Sequence, residues 1–468
     1  MSLWWAWFDC VRALRGACAR QRTFVWMCLA LAGFCLRTDR AGVSSWMRAL
    51  SLHEKAYPRL LHLCHSPALD VERLTACWVR RVLTRFTPVT AAGMTVWVGD
   101  GLKAPKEGRK MPAVKKLHQQ SANNSKPEYI FGHSFQAIGL LVTDVLGTVF
   151  AVPISSRIHE GLVFSNRDRR TLLDKFVQLF LPLAAVAQGA SLMVADAYYA
   201  SAKVIRPLRY LGHHLLTRVK STAVAYQQPP QRTPSQRGRP RRYGAKVPLK
   251  SLWERTGDFV AAPSPVYGER DVTIRYAVHD LLWRPVGVLV RFVLLDHPVR
   301  GRLILLCTCL ELQALDIIRL YGLRFKIEVC FRQALHTLGT YAYHFWMKLM
   351  TPHPRISGNQ YLHRTDQAYR DGVRRKLAAY HRYVQLGCVA QGLLQYLALA
   401  HGPDVWAQFK GWLRTMNPHH APSEAVVAQA LRDSLPDFLL TAPPDHGLKK
   451  FLLDNMDPGR CTPLLMAA

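Results

Sequence analysis

The order of strand-like and helix-like segments between residues 95 and 220 most constrains how this chain can fold. Three segments rich in β-branched and aromatic residues come first: TVWVGD (95–100), YIFGHSFQAIGLLVTD (129–144) and GTVFAVPI (147–154). A helical pattern over 168–188, an apolar strand at 191–196, another helix and a strand at 213–220 follow. This alternation predicts an α/β fold with a mixed central sheet.

The sequence on either side of this region has a different pattern of apolar residues and a different composition. Residues 1–90 show apolar spacing near 3.6 with few Gly or Pro, and the chain beyond about 350 is mostly helical and basic. A Pro/Arg/Gln-rich stretch at 226–245 precedes three more strand-like segments. These patterns predict a helical N-terminal domain (1–90), a first core part (91–225), a β-rich insertion (226–312), a core helix (313–350) and a helical C-terminal region (351–468).

The charge balance is strongly positive. The chain has 62 Lys and Arg against 31 Asp and Glu, a formal net charge of +31. Such a surplus attracts polyanions, because phosphate contacts supply most of the non-specific affinity for nucleic acid. Charge therefore favours nucleic-acid binding, with a solubility role or attachment to a membrane surface as the alternatives.

The apolar stretch near the N-terminus and the cysteines bear on the compartment. TFVWMCLALAGFCL (23–36) is shorter than the roughly 20 residues of a membrane span, so it predicts a buried helix, with a signal peptide as the alternative. Eleven cysteines show no paired CxxC pattern. Reduced thiols in a cytoplasmic protein without a membrane segment are the expectation.

Three carboxylates occupy chemically useful positions in this acid-poor chain. Asp100 and Asp196 each end a strand-like segment, Asp100 before a predicted tight turn, and Glu328 lies in a helical pattern after the insertion. Catalytic groups of α/β sheets collect at strand ends. Three carboxylates can hold two divalent cations for phosphodiester chemistry, and Mg²⁺ suits such oxygen ligands. The alternatives are turn chemistry for each aspartate and an exposed ion pair of Glu328 with Arg324 or Arg332.

Cationic residues accompany these carboxylates. The stretch from 101 to 129 predicts a basic loop along which a phosphate backbone would run, or else a merely solvated loop. Its candidate contacts are Lys103, Lys106, Arg109, Lys110, Lys115 and Lys116. Tyr321, Arg324, Glu328 and Arg332 are spaced 3, 4 and 4, which predicts one helical face where Glu328 binds metal and its cationic neighbours bind phosphate.

The stretches VGDGLKAPKEGRKMPAVKKLHQ, VADAYY and YGLRFKIE resemble the DDE transposases of bacterial insertion sequences, in the insertion-sequence-four-like superfamily. Tyr321, Arg324 and Glu328 match the Tyr-x2-Arg-x3-Glu part of that group's signature. Its lysine would fall at Leu335, with His336 beside it, and Arg332 one turn after Glu328 could replace that phosphate contact. This departure leaves the processing of the DNA ends open.

The resemblance implies an RNase H-like catalytic core with a β-strand insertion. Asp100, Asp196 and Glu328 would form the DDE triad and bind two Mg²⁺ or Mn²⁺ ions, with Tyr321 and Arg324 contacting the DNA backbone. It also implies a homodimer in a synaptic complex, acting in the bacterial nucleoid on double-stranded DNA, both at terminal inverted repeats and at target sites. Another RNase H-like nuclease and a non-catalytic or decayed DNA-binding derivative are the alternatives.

Two further regions are candidates for DNA contact. Arg237 and Arg239 lie in RGRPRR, which resembles the core of AT-hook peptides that enter narrow minor grooves, although a basic linker explains it equally well. The helical region 1–90 is the candidate for recognition of the transposon ends, without a helix-turn-helix clear enough to assign base contacts.

We expect binding to duplex DNA to weaken steeply with salt, because each phosphate contact releases counterions. About six to ten contacts would lower the affinity by about 10³- to 10⁵-fold between 50 and 200 mM salt. A titration of binding against salt concentration measures this slope, and a flat response would contradict the inference from charge.

Overall fold

The computed structural model describes residues 2–119, 127–231, 239–414 and 416–460. The helices are α1 (Leu3–Arg12), α2 (Gln21–Leu36), α3 (Val43–Ala49), α4 (Ala56–His65), α5 (Val71–Arg85), α6 (Leu172–Ala187), α7 (Ala202–Tyr210), α8 (Ala314–Leu323), α9 (Lys326–Gln333), α10 (Gln367–Ala400), α11 (Gly402–Gln408), α12 (Glu424–Thr441) and α13 (Gly447–Leu453). The strands are β1 (Thr87–Pro88), β2 (Thr90–Ala91), β3 (Met94–Pro105), β4 (Lys115–His118), β5 (Tyr129–Thr143), β6 (Val149–Ile158), β7 (Leu162–Val163), β8 (Ser191–Ala195), β9 (His214–Val219), β10 (Val224–Tyr226), β11 (Lys246–Pro248), β12 (Val260–Pro263), β13 (Thr273–Trp283), β14 (Val288–His297), β15 (Gly301–Cys307) and β16 (Gln360–Tyr361).

The chain forms two compact units, each assembled from separate stretches of sequence. Unit 1 comprises Met1–Thr87, Gly101–Arg169 and Glu328–Ala468, and unit 2 comprises Pro88–Asp100 and Arg170–Ile327. The chain passes from one unit to the other directly after Asp100 and directly before Glu328. These units cut across the five segments predicted from the sequence, which stay predictions.

Unit 2 is built on a mixed sheet with the strand order β3, β8, β9, β15, β14, β13, β10, β11. The pairs β3–β8 and β8–β9 are parallel, and the pairs from β9 to β13 are antiparallel. All five residues of β8 are buried. Trp97 of β3 meets Phe180 of α6 edge to face at 5.8 Å, so α6 covers this part of the sheet. The mixed α/β fold predicted from the sequence is confirmed; its assignment as RNase H-like stays a prediction.

The strands predicted as a β-rich insertion extend this sheet. β15 pairs with β9 from Ile304 opposite Val219 to Cys307 opposite Leu216, and β14 and β13 follow it. The insertion therefore shares backbone hydrogen bonds with the strands that precede it in sequence.

Unit 1 is centred on α10, whose residues from Ala379 to Ala398 are buried almost without interruption. Helices α2, α4, α5 and α12 and strand β6 pack against it. The apolar stretch at 23–36 lies within α2 and is almost entirely buried, as predicted. In the described parts of the chain, no helix is long and apolar enough to cross a membrane.

The basic stretch after Asp100 contains two strand segments, so its prediction as a loop is wrong there. β3 continues past Asp100 to Pro105, and β4 pairs antiparallel with β5 in unit 1. Ala104 and Leu117 are buried. These apolar residues hold the two strand segments in the core, although the many charged residues around them in the sequence predicted a loop. Residues 120–126 of this stretch lie outside the described residues.

Lys106 was predicted to contact DNA, and its position in unit 1 contradicts this. Its side chain is only 6% exposed. The ammonium group donates to the carbonyls of Tyr341 and Tyr343, and it lies 3.6 Å from the centroid of the Tyr343 ring. Lys106 therefore holds the 341–343 segment against the strands, because these interactions occupy its donors away from solvent.

We expect Lys106 to make the stability of unit 1 depend on pH. Burial lowers the pKa of Lys106 to about 7, whereas a lysine in an unfolded chain keeps its proton to about pH 10.4. Between these values the unfolded state binds more protons. The free energy of unfolding should therefore rise with pH by up to about 1.4 kcal/mol per unit from this group.

Urea unfolding of the wild type and Lys106→Met, repeated from pH 7 to 10, measures this contribution. The difference between their free energies of unfolding should change across that range. Lys110→Met, which removes an exposed lysine from the same segment, should give a curve parallel to the wild type. Parallel curves for Lys106→Met would contradict the assignment.

Candidate active site

Two aspartates occupy equivalent positions on adjacent parallel strands of unit 2. The register of β3 and β8 pairs Gly99 with Ala195. The next residues are Asp100, within β3, and Asp196, directly after β8. Neighbouring strands lie about 5 Å apart, and side chains at equivalent positions leave the same face of a sheet. The backbone pairing therefore brings together the two carboxylates that sequence reasoning singled out separately.

Arg218 extends this row to a third strand. Val194 of β8 pairs with Leu216 of β9, so Arg218 lies two residues on, beside Asp196. It is the exposed residue within the otherwise buried second half of β9. Sequence reasoning missed Arg218, although its place near the end of a strand that follows a βα unit was a signal that could have found it.

Asp196 is fixed from two sides within unit 2. Its carboxylate accepts a hydrogen bond from the backbone N–H of Tyr198 at 3.0 Å and so caps a short 3-10 helix (Ala197–Tyr199). Its backbone carbonyl accepts from the Thr217 hydroxyl at 2.6 Å. The turn chemistry weighed as an alternative is therefore present at Asp196, and it holds the side chain at the strand end.

Asp100 lies within β3 rather than at its end, so the predicted tight turn is wrong. At the preceding residue, Gly99, helix α6 approaches the strand closely. A Cβ at Gly99 would lie 2.7 Å from Phe176 Cε2. The absence of a side chain at Gly99 lets the Phe176 ring pack on the strand. The backbone that carries Asp100 is therefore held by the core of unit 2.

Arg324 pairs with Asp100. Its Nη1 lies 3.1 Å from Asp100 Oδ2, and both side chains are about one-fifth exposed (19% and 21%). Arg324 directly follows α8, and the N–H of Ile327 donates to its carbonyl at 3.1 Å. The single helix predicted through Tyr321 and Arg332 is thus two helices, α8 and α9, with a tightened turn between them.

Tyr321 belongs to the same charged cluster. Burial raises the pKa of its phenol, while the charges of Arg324 and Arg218 lower it and that of Asp196 raises it. These electrostatic influences place Tyr321 beside the row of strand residues. In unit 2, Asp100, Asp196, Arg218, Tyr321 and Arg324 therefore form one cluster, which we call the aspartate cluster.

Glu328 and Arg332 lie on the α9 residues assigned to unit 1. Arg332 is exposed, as a phosphate contact requires. Within the described ranges, no group of three or more His, Cys, Asp and Glu side chains is gathered closely enough to hold a metal ion. The two aspartates are oxygen ligands of the type that Mg²⁺ prefers, so they fit a divalent cation. Glu328 as a third ligand stays a prediction.

Several of the other basic residues predicted to contact DNA bind protein groups instead. The Lys115 amine donates to Glu160 at 2.9 Å and to Asn359 at 3.0 Å. These protein groups occupy the amine where a DNA phosphate would otherwise bind. Lys103 donates to the carbonyl of His118 at 2.6 Å, and the Lys116 amine lies 3.9 Å from the Tyr129 ring centroid.

Five of the predicted DNA contacts are exposed, namely Arg109, Lys110, Lys116, Arg239 and Arg332. Arg237 lies outside the described residues. The accessible cations of the basic stretch are thus fewer than the sequence predicted, because several of its lysines bind protein groups.

The sequence profile described as DDE superfamily endonuclease matches residues 13–284 of this chain, which is more than half of its length. The chain therefore belongs to this family of endonucleases. The matched residues include Asp100, Asp196 and Arg218 and end before α8 and α9. No curated protein matches the chain.

We expect Arg218→Ala to reduce DNA cleavage far more than DNA binding, because Arg218 lies beside the carboxylates and binding draws on many cations. The loss of one charge-assisted contact at a reacting phosphate corresponds to about 10²-fold in rate. Cleavage of labelled DNA and gel-shift binding measure the two effects.

Arg284→Ala is the matched control, since Arg284 is exposed at the β13–β14 turn of the same unit. It removes an equal charge and should leave the cleavage rate close to that of the wild type. Equal effects of the two substitutions would remove Arg218 from the site.

Proposed function

We propose that this protein is a transposase that cleaves DNA at the terminal inverted repeats of an insertion sequence and joins the freed ends to target DNA. The observation that carries the proposal is the aspartate cluster in a member of the DDE superfamily endonucleases. A net charge of +31 supports double-stranded DNA as its substrate. The sequence resemblance supports a homodimer in a synaptic complex.

Divalent metal chemistry follows from the carboxylates. Asp100, Asp196 and Glu328 would hold Mg²⁺ or Mn²⁺, and two such ions would stabilise the attacking and leaving oxygens of phosphodiester cleavage. Arg218 and Arg324 supply positive charge beside the carboxylates, where a phosphate of the bound strand accumulates negative charge. Tyr321 would orient the DNA backbone from α8.

The chain at the position of the missing signature lysine has an irregular helical structure in unit 1. The chain from Ala334 to Leu338 forms a π-helical turn directly after α9. A π-helix holds more residues per turn than an α-helix, so residues after α9 rotate less per step. His336 is exposed, whereas Leu335 is half-buried. We propose that His336 takes the place of that lysine, with Arg332 as a second phosphate contact.

The ion pair between Asp100 and Arg324 favours a second candidate, a derivative that binds DNA without cleaving it. An arginine on the carboxylate competes with a metal ion for the same oxygens. For cleavage, the Asp100 carboxylate would have to exchange Arg324 for a divalent cation, so the two candidates differ in whether Mg²⁺ supports cleavage at all.

We expect Asp100→Asn, Asp196→Asn and Glu328→Gln each to abolish Mg²⁺-dependent cleavage of end DNA and to leave DNA binding largely intact. Losing a direct metal ligand should cost more than the 10- to roughly 100-fold typical of indirect partners. The measurements are single-turnover cleavage of a labelled end and binding by gel shift.

Glu311→Gln is the matched control, because Glu311 is an exposed carboxylate of unit 2 that precedes α8. It should cleave like the wild type. Cleavage at the wild-type rate by Asp100→Asn, Asp196→Asn or Glu328→Gln would remove that residue from the triad. No cleavage by the wild type under any divalent cation would favour the non-catalytic candidate.

A further inference from the structure

Unit 1 carries an exposed tryptophan between two cavities. Trp346 is 61% exposed, and it lines a cavity of about 700 Å³ on one side and another of about 650 Å³ on the other. Pockets of this size are typical of binding sites for small organic groups. We call this surface the Trp346 groove. It lies wholly within unit 1.

The indole is held in place by the basic stretch. A Cβ at Gly108 would lie 2.5 Å from Trp346 Nε1 and 2.9 Å from its Cδ1, so only glycine lets the edge of the ring lie there. The N–H of Met347 bonds the carbonyl of Lys110 at 2.9 Å, and that of His353 bonds the carbonyl of Arg109 at 2.8 Å. The backbones on both sides of Trp346 are therefore tied together while its ring stays exposed.

The first cavity adds a second exposed aromatic ring and a cation. Tyr57 is 41% exposed and lines the same cavity as Trp346. His65 Nδ1 lies 2.9 Å from the carbonyl of Leu61 and its Nε2 lies 3.1 Å from the Lys376 amine. The carbonyl can only accept, so the His65 ring donates through Nδ1 and accepts through Nε2 from the Lys376 amine.

The second cavity is cationic. Arg109, Lys110 and Lys348 line it and are exposed, and the carboxylate among its lining residues is Glu107. Glu107 accepts from Arg355 Nη2 at 3.3 Å, so part of its charge is compensated. The balance of lining charges therefore suits a polyanion.

We propose that the Trp346 groove binds single-stranded DNA, with bases stacked on Trp346 and Tyr57 and the backbone following Lys376, Lys348 and Arg109. Exposed aromatic rings interleaved with cations are the elements by which proteins hold unpaired strands, because every base offers a π-face. A duplex conceals those faces within its own stack, so an indole lying between two cavities selects unpaired nucleotides. This inference rests on the proposed function, which identifies DNA as the nucleic acid that the protein binds. It assigns to the Trp346 groove the binding of unpaired DNA, which the aspartate cluster does not provide.

The test measures binding rather than cleavage. A labelled oligo(dT) of about ten nucleotides matches the site sizes of single-strand binding proteins. An abasic oligonucleotide with the same number of phosphates removes the bases and keeps the charge. Fluorescence anisotropy gives the affinity of both probes for the wild type, Trp346→Ala, Gly108→Ala and Trp412→Ala.

Trp346→Ala should weaken oligo(dT) binding by about 5- to 150-fold, the range for loss of one stacked base, and should leave abasic binding unchanged. Gly108→Ala should weaken oligo(dT) binding as well, because the added methyl displaces the indole. Trp412 is 82% exposed and lines neither cavity, so Trp412→Ala should match the wild type.

Three outcomes would overturn the proposal. These are unchanged oligo(dT) binding by Trp346→Ala, an equal loss with the abasic probe, and a tighter Trp346-dependent binding of oligo(U) than of oligo(dT). The result is separable from the proposed function, since Asp100→Asn should lose cleavage and keep oligo(dT) affinity. Loss of single-strand binding in Trp346→Ala can therefore be observed whether or not the wild type cleaves.

Discussion

The parallel pairing of β3, β8 and β9 is the constraint on which the rest of the candidate site depends. Parallel strands keep a fixed register, so residues one step beyond a paired row lie side by side. Asp100, Asp196 and Arg218 share such a row. Shifting one strand by a single residue would move its side chain to the opposite face of the sheet. The packing of α6 on Trp97 and Gly99 therefore fixes the strand that carries Asp100.

The sequence could predict the two aspartates because each follows a run of β-branched and apolar residues, a pattern local to the chain. It could not predict Arg218, because the importance of that residue arises only from its register beside Asp196. The helical break at Arg324 was equally hidden, since the residues around it keep a helical spacing. Properties set by neighbouring residues were accessible, and those set by pairing across the sheet were not.

The same distinction applies to the fold. The buried helix at 23–36 and the strand at 191–195 follow from apolar patterns alone. The pairing of β15 with β9 joins strands more than 80 residues apart in sequence, and composition says nothing about such partners. Lys106 is a sharper case. Its neighbours in sequence are charged or turn-forming, and only the distant carbonyls of Tyr341 and Tyr343 explain its burial.

Burial of cations also changes what a net charge of +31 means for DNA binding. Arg37 and Arg382 bind carbonyls inside unit 1, and Lys106 is committed to protein carbonyls as well. These charges raise the potential around the molecule but cannot release counterions by contacting phosphates. The salt dependence of binding therefore reports the exposed cations alone. Because those cations include Arg109, Lys110 and Lys348 of the Trp346 groove, part of the affinity should come from a surface outside the aspartate cluster.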